Sequence, residues 1–125
     1  MAAVEVGVGD VFVDPRGTEM VIREFSPDPQ GVLEFSMRVP PGGGLLPEHA
    51  HPEQTETFRI TAGSARYRLG GVDGTAEAGA EIEVSAGMRH VNPWNDSGMT
   101  LEFVQRVTPV RDFPAIGERL GFRRR

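Results

Sequence analysis

Three histidines and one glutamate stand out in a 125-residue chain that has no cysteine and draws all 13 of its basic residues from arginine. His49-Ala50-His51 sets two imidazoles two residues apart. In an extended segment residues i and i+2 project to the same side, so the pair can share one ion. Glu56 follows at the start of a segment in which Glu56, Phe58 and Ile60 alternate with Thr57, Arg59 and Thr61. If that face is interior, Glu56 is a carboxylate aimed into apolar surroundings and requires a counter-charge. A divalent metal on His49 and His51 supplies one, and His90, in another strand beside Gly87, offers a third nitrogen. Three imidazoles and a carboxylate suit Fe, Mn, Ni, Cu or Zn, and affinity order does not choose among them. Four protein ligands leave open positions for substrate, water or dioxygen.

Composition removes other chemistries. Without cysteine there are no disulfides, thiolate metal sites or thiol nucleophile. Without lysine there is no Schiff-base or P-loop chemistry. Gly42-Gly43-Gly44 precedes neither Lys nor Ser/Thr and is expected to be a loop. The net charge of −5 opposes nonspecific nucleic-acid binding. Arg123-Arg124-Arg125 is expected to be a solvated tail, and no nucleic-acid partner is expected. No apolar run approaches the ~20 residues of a membrane span, and the first ten residues do not resemble a signal peptide. A cysteine-free chain fits a reducing cytoplasm.

The elements that must position these groups are short strands in a single domain spanning 1–125. Alternation marks Val11–Val13, Glu19–Phe25, Val32–Val39, Thr55–Thr61, Ala65–Leu69, Ile82–Val84 and Met99–Val107. Asp14-Pro15-Arg16-Gly17, Gly70-Gly71 and Asp73-Gly74 read as turns. Phe113, Ile116 and Leu120 recur at helical spacing, with Asp112 as cap and Pro114 in the first turn, so a short helix is expected over 113–122. Eight or more short strands at intervals of about ten residues indicate an all-β sandwich, barrel or jelly roll.

From Gly43 to Gly63 the chain reads Gly, five residues, His49-Ala50-His51, four residues, Glu56, six residues, Gly. This resembles the first motif of the cupin superfamily at every fixed position. Gly79, Gly87 and His90 resemble the second motif, over 79–95. Ser85 stands where that motif usually has Pro, and Trp94 where it usually has Asn, with Asn92 and Asn95 on either side. The resemblance implies one jelly-roll β-barrel, with His49, His51, Glu56 and His90 as ligands of a single interior metal. It also implies a homodimer built on strands between Asp10 and Phe25.

Glu53 is the rival of Glu56 as carboxylate ligand, disfavoured by Pro52 and by the family spacing. Gln54 faces either solvent or a bound ligand. By parity Met37, Phe58, Ile60, Tyr67, Phe103 and Gln105 point inward, as core or as pocket lining. Tyr67 and Gln105 carry polar tips that need partners if buried, which makes them the better candidates for substrate contacts. Trp94 either stacks on a substrate or covers the rim, and Arg89 points outward. No imidazole or amine remains outside the metal set, so the expected chemistry is Lewis-acid or oxygen chemistry on an aromatic or ketone-like small molecule. A polyketide-type cyclase or isomerase and a non-catalytic ligand-binding or sensor protein are the competing readings.

Overall fold

A computed structural model describes residues 6–26, 28–111 and 121–125. Ten strands follow one another: β1 (Val11–Val13), β2 (Glu19–Phe25), β3 (Leu33–Val39), β4 (Thr55–Ala62), β5 (Ser64–Leu69), β6 (Val72–Glu77), β7 (Glu81–Val84), β8 (His90–Trp94), β9 (Leu101–Thr108) and β10 (Arg123–Arg124). They form a seven-stranded sheet in the order β10-β1-β2-β3-β9-β4-β7 and a three-stranded sheet in the order β6-β5-β8. All pairings are antiparallel. This two-sheet all-β architecture matches the expected jelly-roll class.

Period-two patterning sets the inner face. Leu33, Phe35, Met37 and Val39 of β3 are buried while Glu34, Ser36 and Arg38 are not. The register sets Phe35 opposite Gln105 and Met37 opposite Phe103 on β9, and β4 sets Phe58 opposite Gln105 and Ile60 opposite Phe103. One continuous core results, and Ala65 and Ala76 of the small sheet join it. The Phe58 and Phe103 rings meet edge to face with centroids 5.9 Å apart, a favoured aromatic geometry.

Three expectations change. Gly70-Gly71 is the two-residue hairpin turn, with both φ angles positive (58° and 83°). Asp73-Gly74 is no turn but lies within β6, which is exposed along most of its length and so shows no apolar alternation. Gly74 stands opposite Tyr67, whose ring occupies the space of a Cβ there, only 2.4 Å from where one would sit. The glycine makes room for an aromatic residue rather than bending the chain. The arginine tail is not free: Arg123 and Arg124 pair with β1, Arg124 bonds Asp10 and Arg125 bonds Glu19. Residues 113–120 of the helix expected over 113–122 lie outside the described residues. Gly121 and Phe122 are not helical, and no helix is present among the described residues.

Gly63 connects β4 to β5 at φ 82°, and a Cβ there would stand 2.5 Å from the Thr100 carbonyl oxygen and 3.2 Å from Leu101 Cα. Both neighbours are backbone and cannot swing aside. Gly63→Ala is therefore expected to destabilise the fold by about 2 kcal/mol or more, the cost of a left-handed non-glycine residue plus the clash. Urea unfolding measures it, and an unchanged midpoint would refute this account of the turn.

Candidate metal centre

The site forms where the segment before β4 crosses the start of β8. The His49 amide donates to the His90 carbonyl and the His90 amide to the His49 carbonyl, each at 2.9 Å. This isolated antiparallel bridge sets the two residues directly opposite. The His51 carbonyl accepts the Gly87 amide at 2.8 Å, which fastens the same segment to the turn before β8. Ring centroids are 4.3 Å apart for His49 and His90, 4.8 Å for His49 and His51, and 5.8 Å for His51 and His90. Glu56, the first inward residue of β4, is 1% exposed. Its Oε1 lies 3.1 Å from His90 Nε2 and 3.3 Å from His51 Nε2.

One potential ligand atom from each of the four residues lies within 4.8 Å of every other. First-row ions bind N and O donors at about 2.0–2.2 Å, so two ligands of one ion stand at most about 4.4 Å apart. The set therefore needs only a few tenths of an ångström of closure. Two ring orientations already suit it. His49 Nδ1 lies 2.8 Å from the Pro47 carbonyl and His90 Nδ1 2.9 Å from the Met88 carbonyl. A carbonyl only accepts, so each Nδ1 carries the proton and each Nε2 keeps its lone pair, as in metal-ligating histidines. While His90 is neutral, Glu56 Oε1 and His90 Nε2 are fully buried and neither completes a hydrogen bond. Buried polar atoms left so are costly, and a shared cation satisfies both. The donor set and its protonation fit a divalent transition metal.

The other expected residues divide. Glu53 is exposed and 3.8 Å from Arg111 Nε, so it does not compete with Glu56. Gln54 is buried, 5% exposed, rather than facing solvent. Met37, Phe58, Ile60 and Phe103 lie in the packed core. Of two spaces bounded in part by Met37 and Phe103, one measures about 10 Å³, room for about one water, and the other, about 440 Å³, is lined also by Arg38, Arg59 and Thr61. Gln105 is buried and its Nε2 donates to Glu56 Oε2 at 2.5 Å. Tyr67 is half-buried against the core. Trp94 is half-buried, with the Arg66 guanidinium 6.0 Å from its ring centre, which suits a rim cover. Arg89 points outward and bonds Glu48.

Asn95, one residue beyond Trp94, has a role its sequence position did not reveal. It is 1% exposed; its amide donates to the Val39 and Met99 carbonyls, and its Oδ1 accepts from Ser97. The asparagine that ties off this end of β8 is displaced by one position from the motif. Asn-Asp-Ser-Gly at 95–98 was the available signal, since such side chains commonly bond nearby backbone in turns.

Residues 35–105 match the family model described as Cupin domain, more than half of the chain. The chain therefore belongs to the cupin family. No curated protein sequence matches it. Among solved structures, it is similar to an RmlC-like cupin from Shewanella frigidimarina, at 16% identity and TM-score 0.68 over 90% of this chain and 96% of that one. It is also similar to a protein from Thermotoga maritima described as a predicted oxalate decarboxylase, at 21% identity and TM-score 0.65 over 86% and 98%. A third is KdgF from a Halomonas species, at 16% identity and TM-score 0.67 over 81% and 86%. At these identities the likeness is one of fold.

His90 has a raised pKa. Burial acts to lower it, but the approach of Glu56 and the bond to the Met88 carbonyl outweigh burial. In the metal-free protein Glu56 therefore favours the protonated form of His90, whose Nε2–H then donates to Glu56 Oε1 and adds stability. That contribution is complete below the ordinary histidine value of about 6.5 and is lost as pH rises through the raised folded value. Imidazole NMR titration of the metal-free protein should place His90 above about 6.5. A midpoint below it would contradict the pairing.

Proposed function

We propose that this cupin is a metal-dependent enzyme. One divalent transition ion (Fe, Mn, Ni, Cu or Zn) binds His49, His51, Glu56 and His90. The observation that carries the reading is the buried Glu56 oxygen facing two imidazole nitrogens, with no hydrogen bond of its own. When bound, such an ion supplies Lewis acidity toward a substrate oxygen or a point of attachment for dioxygen. The chain supplies the rest. His49 is the more exposed of the ligands, so its side is the open approach, while the packed Phe35, Phe58 and Phe103 close the opposite side. A small, weakly charged organic molecule, aromatic or ketone-like, suits that approach. Tyr67, half-buried on the inward face of β5, is the candidate for a polar contact to it.

All three histidines stand in the ligand set and lysine is absent, which favours oxygenase or Lewis-acid chemistry over proton shuttling. Cyclase or isomerase activity is the second enzymatic reading, and would need Tyr67 or an acidic residue as the proton carrier. The same reading includes a homodimer built on the strands between Asp10 and Phe25, and a cytoplasmic location suited to a cysteine-free chain. No helix among the described residues is long and apolar enough to cross a membrane.

Metal analysis of protein from its native host, followed by oxygen uptake across phenols and diketones, tests the activity. Tight ligand binding without turnover in every metal form would instead make this a binding or sensor protein. The site assignment has a separate test. His49→Ala combined with His90→Ala is expected to abolish stoichiometric metal while circular dichroism still reports a folded β protein. Metal retained at full stoichiometry by the double variant would overturn the ligand set.

A further inference from the structure

We propose that Gln105 is a positioning residue for the metal centre. Its side-chain amide holds one oxygen of Glu56, so that only the other oxygen faces the histidines. This inference rests on the metal reading above and assigns a task to a residue outside the ligand set.

The two oxygens of Glu56 have different surroundings. Oε2 accepts from Gln105 Nε2 at 2.5 Å, whereas Oε1 stands 3.1 Å from His90 Nε2 and 3.3 Å from His51 Nε2. No other hydrogen bond or ion pair engages Glu56 Oε2 among the described residues. Gln105 is itself held firmly. It is 2% exposed on β9, which lies between β3 and β4, with Phe35 opposite on one side and Phe58 on the other. Glu56 lies diagonally across from it, since Phe58 pairs with Gln105 and Glu56 with Val107. Long side chains reach each other across such a diagonal.

The residue type matters as much as the distance. An amide N–H donates only, so it engages a carboxylate oxygen without offering a proton acceptor and without adding charge. A carboxylate at 105 would place two acids side by side, and two such groups ionise together only with difficulty. An apolar residue would leave Oε2 buried without a partner and free the carboxylate to rotate. Gln105 thus restricts Glu56 to one ligating oxygen. The coordination position that a two-oxygen Glu56 would fill stays available to substrate. Outer-shell partners of this kind commonly change metal affinity 10–100-fold when removed.

Gln105→Leu and Gln105→Glu test the proposal, with thermal unfolding to establish that each variant folds. Gln105→Met, closer in shape to glutamine, takes the place of any variant that does not. Co²⁺ titration followed by visible absorption is expected to show affinity lowered about 10–100-fold in Gln105→Leu, with altered band positions as Glu56 engages through both oxygens. Gln105→Glu is expected to bind more weakly than wild type as well. Crystal structures of the metal-free wild type and Gln105→Leu give a second readout. The Glu56 carboxylate should turn away from its place beside His90 in the variant only. Wild-type affinity, an unaltered Co²⁺ spectrum and an unmoved Glu56 would overturn the proposal. If wild-type protein takes up no divalent ion, the metal reading fails. The pair of metal-free structures then decides the positioning role alone, a rotated Glu56 supporting it and a fixed one refuting it.

Discussion

A carboxylate at the inner end of β4 is the constraint around which this barrel is arranged. Glu56 is as buried as Phe58 and Ile60, its neighbours on the same face. An uncompensated ion in such a place costs several kcal/mol even after relaxation, a large fraction of a small domain's total stability. The fold answers with convergent nitrogen groups: an amide from β9 on one oxygen, and imidazoles from β8 and the segment before β4 on the other. Each comes from a different part of the chain, so the site can exist only when the strands are in register. A one-residue slip of β4 would turn Glu56 outward and Thr57 inward.

The same constraint divides the interior. Along β9, Gln105 and Phe103 are successive inward residues. Gln105 bonds Glu56, and Phe103 packs on Phe58. The polar part of the interior therefore gives way to dry core within one strand step. Parity alone assigned Met37, Phe58, Ile60 and Phe103 to either core or pocket, because an inward residue reads the same in both. The three-dimensional packing separates them. Phe58 and Phe103 pack on each other in the core, and Met37 and Ile60 are buried with them.

Much of the four-residue cluster was legible because its members stand at spacings that strand geometry brings together. His49 and His51 project together in any extended segment, and Glu56 heads a strand whose alternation is unambiguous. The fold was legible for a related reason: strands β3, β4 and β9 each have one buried face, which period two records. What escaped the sequence were features without a periodic signature. β6 is exposed along most of its length and holds a glycine for the sake of Tyr67 on the next strand. Arg123 and Arg124 look like a solvated tail until β1 is placed beside them. The bond from Gln105 to Glu56 joins residues far apart in the chain, and no local pattern reports it.

The absence of lysine has a structural consequence as well as a chemical one. Arg106 reaches both Glu24 and Glu34, and Arg66 reaches Asp73 and Asp96, uses that suit a planar, multi-donor head better than a single ammonium. These pairs are exposed and contribute little each. They lie on the outer surface of the strands, whereas histidine, the basic side chain that can shed its charge near neutral pH, occupies the interior. A nitrogen that ligates a metal must offer a lone pair, and guanidinium has none to give. The division of labour between the two residue types thus follows from acid–base chemistry: permanent charge outside, where water screens it, and adjustable charge inside, beside the one buried carboxylate among the described residues.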